Sequence, residues 1–282
     1  MSKIKATEYN TSCKPTWCPG CGDFGIWTAI KNVLSELDIA PHNVVITYDI
    51  GCIGNMASSV KCYGFHSLHG RALPVAVGAK LANPKLTVLS IVGDGGMYGE
   101  GTNHLIHSAR YNVDVNLIVA NNHSFSLTTG QSSPTSEKGY VTKTTPWGEI
   151  KKPINPIALS LSAGSSFVAR SSSIDIKHMT EMIKESIQHK GFSHLDILQQ
   201  CVTFNKVNTV QWIKDKTYKL NKPTSNIKTA LNKALEQDKL PIGIFYKENK
   251  KSYSEELDFS ADTCAVEQSI KFDKKVLLDE YI

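Results

Sequence analysis

Apolar runs of strand length alternate with helical apolar spacing along most of this chain. NVVITYDIG (43–51), LTVLSIVGDGG (86–96) and VNLIVANN (115–122) are apolar stretches that run into glycine or asparagine turns. SFVAR (166–170) and LDILQQC (195–201) are two more strand-like runs. Between them, residues 23–37, 72–82, 100–111, 157–164 and 177–189 space their apolar side chains as amphipathic helices do. Strand, loop and helix repeated in this way predict an α/β fold, a mainly parallel sheet covered by helices on both faces. Ligands of such sheets bind beyond the carboxyl ends of the strands. Residues 51–55, 93–96, 121–127 and 201 are therefore expected along one edge.

The pattern breaks twice. Residues 130–156 are rich in Gly, Ser, Thr and Pro with little periodicity, and read as a long ordered loop, which in a compact domain is often functional. After about residue 206 the composition shifts toward Lys, Asn and Glu, with one helix expected at 226–236 and one short strand at 241–246. We therefore expect a main domain over 1–206 and a C-terminal extension over 207–282, its charged tail from 247 lying over the surface or a partner. No internal repeat is apparent.

Composition narrows the function classes. The chain has 282 residues and a net charge of +5, with lysines clustered only at 247, 250, 251 and at 271, 274, 275. That balance suits a solvated surface or an acidic protein partner, and no nucleic-acid motif accompanies it. No run of about 18 apolar residues is present to cross a membrane. MSKIKATEYN lacks the apolar core of a secretory signal, so a cytoplasmic location is expected. Seven cysteines, an odd number, do not read as a disulfide framework in that compartment.

Two stretches carry chemistry. In TWCPGCGDFG (16–25) two thiols stand three residues apart. That spacing alone fits a redox pair, a zinc knuckle, half an iron–sulfur site or two buried thiols. GDGGMYGEG (93–101) follows a strand and precedes a helix, so its backbone N–H groups can approach phosphate oxygens and Asp94 can hold a divalent cation. Asn121 and Asn122 end the next strand. A GDG followed at this distance by NN resembles the thiamine diphosphate-binding motif, in which Asp94, the Asn122 amide oxygen and a carbonyl near Ser124 would coordinate Mg²⁺ bridging the diphosphate.

The resemblance extends further. WCPGCGDFG, DIGC, HSLHGRALPVAVGAKLANP, GDGG…GTNHLIHSARYNVDV, NN…LTTGQSSPTS and LQQCVTFN occur in order over about 12–206. Together they resemble the β subunit of 2-oxoacid:ferredoxin oxidoreductases, and GxNHLIHxxRxNVD with TGQxSPTS looks more like the 2-oxoglutarate-type subunits than the pyruvate-specific ones. The resemblance implies a [4Fe–4S] cluster on Cys18, Cys21, Cys52 and Cys201, leaving Cys13, Cys62 and Cys264 outside it. It implies thiamine diphosphate contacts from Ile50, Gly51, Cys52 and Ile53, from His69, from the backbone of Gly95 and Gly96, and from Ser126 and Leu127. His104 and His107 are expected to pack structurally.

The reaction so implied is oxidative decarboxylation of a 2-oxo acid with coenzyme A, giving acyl-CoA and CO₂, with electrons passing to ferredoxin. The substrate expected first is 2-oxoglutarate, with pyruvate or branched 2-oxo acids open. The glutamate that activates thiamine in this family comes from the α subunit, so the chain is expected to be inactive alone and to work as a heterodimer. Two departures stand out against a family stretch close to RIYGLTKGQ: Ser126 replaces a glycine and Thr129 a lysine, removing a charge relevant to substrate or coenzyme A. A thiamine-dependent non-redox decarboxylase or synthase would explain GDG–NN but not the cysteines. A zinc-stabilised binding protein would explain the cysteines but not GDG–NN.

Overall fold

The computed structural model describes residues 3–236, 238–257 and 264–267. Its helices are α1 (Asp23–Glu36), α2 (Ala72–Ala82), α3 (Thr102–Tyr111), α4 (Pro156–Ser162), α5 (Ile176–Gln188), α6 (Val210–Lys216), α7 (Ile227–Ala234) and α8 (Tyr253–Glu256). Its strands are β1 (Val44–Tyr48), β2 (Tyr63–His66), β3 (Thr87–Gly93), β4 (Asn116–Asn121), β5 (Phe167–Ser172), β6 (Ser193–Leu198), β7 (Thr217–Lys219) and β8 (Leu240–Lys247). The strands form one eight-stranded sheet in the order β2-β1-β3-β4-β6-β5-β8-β7. All neighbours are parallel except β5 and β8. The expected α/β architecture is thus the observed one.

Side-chain alternation along the central strands builds a core on each face. Leu89 and Ile91 of β3, with Ile118 and Ala120 of β4, pack with Ile30 and Leu34 of α1 and Met179 and Ile183 of α5. Val88 and Val92, with Leu117 and Val119, face the other way onto Leu73 and Ala76 of α2 and Leu105 and Ala109 of α3. A parallel sheet buried on both sides needs this continuous apolar content.

The expected boundary at 206 falls between β6 and α6. Beyond it, β8 pairs antiparallel with β5, β7 pairs with β8, and α7 packs with α4 through Ala230, Ala234, Ile157 and Leu161. The expected path of the charged tail from 247 lies largely outside the described residues, as do Lys271, Lys274 and Lys275.

The order of strands creates the crevice. The chain leaves β1 for β2 on one side, then returns through α2 to β3 on the other side of β1. Connections diverging from the ends of adjacent parallel strands leave a cleft there. The loops that follow β1, β3, β4 and β6 begin at Asp49, Asp94, Asn122 and Gln199, and all four lie at this carboxyl edge. Among the described residues, no helix is long and apolar enough to cross a membrane.

Candidate functional site

A cavity of about 370 Å³ opens where the loops after β1, β3 and β4 meet. Ile50, Gly51, Cys52 and Ile53 line it from the first loop, and Asp94, Gly95 and Gly96 from the second. The third loop contributes Asn122, Ser124, Ser126 and Leu127, and His69 closes one wall. The structure thus gathers all the residues expected around GDG and NN into one space.

The GDGG turn enters a helix at once. Residues Gly96–Glu100 form one π-helical stretch, a feature that often marks functional sites, and continue into α3. Position 96 has no room for a side chain, because an added Cβ would lie 1.7 Å from Asp49 Oδ2. Asp49 is held by the Gly70 N–H at 2.8 Å, and its other oxygen has no hydrogen-bond partner. His69 Nδ1 stands 3.4 Å from Glu100 and 4.0 Å from Asp49, with its ring edge-on to Phe125.

The NN turn is equally constrained. His123 has φ +58°, in the left-handed region, and is buried. Its Nδ1 sits 2.7 Å from the Thr135 carbonyl. A carbonyl only accepts, so Nδ1 carries the proton. Asn122 Oδ1 accepts from the Ser124 N–H at 3.1 Å and from the Ser126 hydroxyl at 3.3 Å. The same Ser126 proton is shared with the Ser124 carbonyl, 3.4 Å from Oγ. Serine in place of the family glycine therefore adds a hydroxyl beside two of the oxygens expected to ligate Mg²⁺. Thr129, the other departure, is exposed.

A second cavity, about 100 Å³, lies against the first, and Cys52, Asn122, Ser126 and Leu127 line both. Cys18, Cys21, Cys52 and Cys201 all face it. Local structure explains the CPGC spacing. Pro19 and Gly20 form the centre of a tight turn, closed by the Cys21 N–H donating to the Cys18 carbonyl at 3.0 Å. Gly20 has φ +83°, as the third residue of a type II turn requires. The Trp17 indole donates to the Cys52 carbonyl at 2.6 Å and stacks edge-on with Phe24, fastening this turn to the β1 loop.

Four thiols facing one cavity are a donor set that a [4Fe–4S] cluster would need. Among the described residues, no group of three or more His, Cys, Asp or Glu is arranged as a site for a metal ion. Zinc draws its sulfurs to about 2.3 Å from one centre. A cubane is instead bound by one thiolate per iron, which suits four thiols spaced around a cavity. Polar groups already point at the sulfurs. Gln199 Nε2 donates to Cys21 Sγ at 3.2 Å, Thr203 Oγ1 to Cys18 Sγ at 3.1 Å, and the Phe204 N–H to Cys201 Sγ at 3.4 Å. Burial, and then Asp23, push the Cys21 thiol well up and Cys52 to about 12. A metal bound there would have to displace their protons. The remaining cysteines lie apart: Cys13 is exposed, Cys62 is half-buried, and Cys264 is buried with its thiol toward the Ala82 carbonyl.

Several residues at this edge escape the sequence patterns. Asp23 lines the larger cavity from the first turn of α1, and neither carboxylate oxygen has a hydrogen-bond partner. Burial raises its carboxyl to about 7. Asn205 donates to the Asn122 carbonyl at 3.0 Å, tying the loop after Cys201 to the NN turn. Beneath the turn, Asp196 of β6 pairs with Arg170 of β5 at 3.0 Å and accepts from Asn121 and Tyr98 at 3.0 and 2.9 Å. An aspartate inside the apolar run LDIL is the signal that could have revealed this network. His104 and His107 lie on α3, and His107 stacks on Tyr111.

The chain is similar to proteins of known families. Residues 49–197 match the family described as thiamine pyrophosphate enzyme, C-terminal TPP binding domain. Residues 201–262 match the family for the C-terminal part of the pyruvate ferredoxin oxidoreductase beta chain. The chain is 42% identical over 247 residues to a 2-oxoacid:ferredoxin oxidoreductase subunit beta of Saccharolobus solfataricus, covering 82% of this chain and 81% of that one. It is 32% identical to the 2-oxoglutarate synthase subunit KorB of Archaeoglobus fulgidus, covering 91% of this chain and 94% of that one. Its fold aligns with a 2-oxoglutarate:ferredoxin oxidoreductase from Magnetococcus marinus, solved with 2-oxoglutarate, coenzyme A and succinyl-CoA bound. The TM-score is 0.92 at 33% identity, with 99% of this chain and 97% of that chain covered.

Proposed function

Because this chain belongs to the 2-oxoacid:ferredoxin oxidoreductase β-subunit family, we propose that it is the cofactor-carrying half of an enzyme that oxidatively decarboxylates a 2-oxo acid. Coenzyme A takes the acyl group, CO₂ leaves, and ferredoxin takes the electrons in the cytoplasm. The 2-oxoglutarate names of several relatives make that acid the first substrate to test. One observation carries the reading: the phosphate-type cavity and the four-thiol cavity are adjacent, with Cys52 in the wall of both.

When bound, thiamine diphosphate supplies the carbon nucleophile for decarboxylation, and a [4Fe–4S] cluster supplies a one-electron acceptor beside it. The chain's own residues position both. Asp94, Asn122 Oδ1 and the Ser124 carbonyl would hold Mg²⁺. The N–H groups of Gly95 and Gly96, at the start of the π-helical stretch, would face the phosphates. Ile50, Ile53 and Leu127 supply apolar walls, and His69 guards the wall near Gly96. Cys18, Cys21, Cys52 and Cys201 would each hold one iron. The glutamate that activates thiamine would come from an α subunit.

The test is anaerobic assay of the αβ complex for ferredoxin reduction with 2-oxoglutarate and coenzyme A. Reduction that requires both substrates and both subunits is expected. Full activity from this chain alone, or decarboxylation without any electron transfer, would overturn the reading.

A further inference from the structure

The long loop between β4 and α4 returns to the NN turn through four residues, Ser133-Pro134-Thr135-Ser136. Their hydroxyl side chains are buried, and each has a partner in the site. The Ser133 hydroxyl donates to Asp94 Oδ2 at 2.5 Å, and the Thr135 hydroxyl reaches the same oxygen at 2.6 Å. Thr135 Oγ1 also stands 2.9 Å from Asn121 Oδ1. A hydroxyl has one proton, so Thr135 shares it between Asp94 and Asn121, while Ser133 serves Asp94 outright. Asn121 is fixed from the other side, its Nδ2 donating to Asp196. The Ser136 hydroxyl donates to the His123 carbonyl at 2.7 Å and accepts from the Ser133 N–H at 2.8 Å.

Both hydroxyl bonds fall on one oxygen of Asp94. Oδ2 is engaged by the loop, which leaves Oδ1 as the oxygen for a cation. The carboxylate is almost wholly buried, and burial raises its pKa while the two hydroxyls oppose that rise. The loop also holds the left-handed His123 between the Thr135 carbonyl and the Ser136 hydroxyl, and His123 separates Asn122 from Ser124.

We propose that Ser133 and Thr135 are positioning residues for the metal–diphosphate site, orienting Asp94 so that the cation is bound by Oδ1. This rests on the reading of the larger cavity given above. It assigns the SPTS segment a chemical role: partners that orient a ligating carboxylate set the affinity of the metal.

The experiment is calorimetric titration of thiamine diphosphate into the αβ complex across a series of Mg²⁺ concentrations. Thr135→Val keeps the shape and removes the hydroxyl, Ser133→Ala removes the other, and Thr135→Ser restores it. We expect Thr135→Val to raise the Mg²⁺ needed for half-maximal binding by about tenfold or more. Binding at saturating Mg²⁺ should recover, and Thr135→Ser should stay close to the parent protein. Thr144→Val, in the same loop but exposed, should change nothing. A Thr135→Val complex with the parental Mg²⁺ dependence would overturn the proposal. So would binding lost at every Mg²⁺ concentration, which would mark a purely structural residue. If Thr135→Val fails to fold, the Ser133→Ala titration decides by the same criteria. A parent complex that shows no Mg²⁺-dependent binding at all would bring down the reading of the cavity together with the proposal.

Discussion

Asp49 and Gly96 show how tightly single residues define the GDGG turn. A methyl group at 96 would overlap Asp49 Oδ2, whose partner oxygen is committed to the Gly70 N–H. Forcing it in costs about 1–3 kcal/mol, so Gly96→Ala should weaken thiamine diphosphate binding by about fivefold or more. Adding Asp49→Ala should recover part of the loss, because the two positions contend for one space. Calorimetry on the single and double variants checks both expectations, and strictly additive losses would contradict them. The four thiols allow a sharper contrast. Serine at 18, 21, 52 or 201 should remove most of the iron and acid-labile sulfide, whereas Cys13→Ser and Cys62→Ser should leave both intact. At this scale the ligand candidates were legible because the motifs that hold them together resemble one known family, whereas the CPGC spacing alone left four readings open. Asp23 and Gln199 were written within the same quoted stretches, CGDFG and LQQC, yet their parts were not legible. Burial without a partner and a contact with a sulfur arise only when α1 and the end of β6 meet.

The elements explain which parts of the pattern could be read. Central strands are buried on both sides, so β1, β3, β4, β5 and β6 appear as apolar runs. Strand β2 lies at the sheet edge with all four residues exposed, and so leaves no apolar signature. Helix α6 and strand β7 span seven and three residues and are too short for periodicity to show. The loop 130–156 was legible as a long irregular segment from its length and composition alone, while its hydroxyl contacts with Asp94 needed the fold. The buried network between β4, β5 and β6 has a consequence for acid stability. Asp196 only accepts, so Tyr98 donates to it and in turn accepts from His194 Nε2 at 2.9 Å. Burial lowers His194 from 6.5 to about 4. Its folded pKa lies below the unfolded one, so its contribution is complete above about 6.5 and is lost as pH falls toward 4. The loss is about 3 kcal/mol. Asp23, raised to about 7, titrates in the opposite sense across an overlapping range. The useful quantity is therefore the difference in urea stability between the parent and His194→Gln. The parent should lose about 3 kcal/mol relative to the variant between pH 7 and 4, and a pH-independent difference would contradict this account.

On the scale of the whole molecule, one sheet edge organises everything: four strand ends supply the walls of two cavities, and the N-terminal CPGC turn closes the smaller one. The C-terminal segment extends the same sheet at its far side through β8 and β7, away from the β1–β3 crevice. In the proposed reaction, electrons leave the larger cavity through the neighbouring four-thiol cavity. This route is tested most directly by electron paramagnetic resonance of the anaerobic αβ complex frozen after addition of 2-oxoglutarate and coenzyme A. The account predicts the signal of a reduced [4Fe–4S] cluster that needs substrate and disappears in the Cys201→Ser complex. An unchanged spectrum from a complex that binds thiamine diphosphate and releases CO₂, or a signal that survives Cys201→Ser, would contradict it.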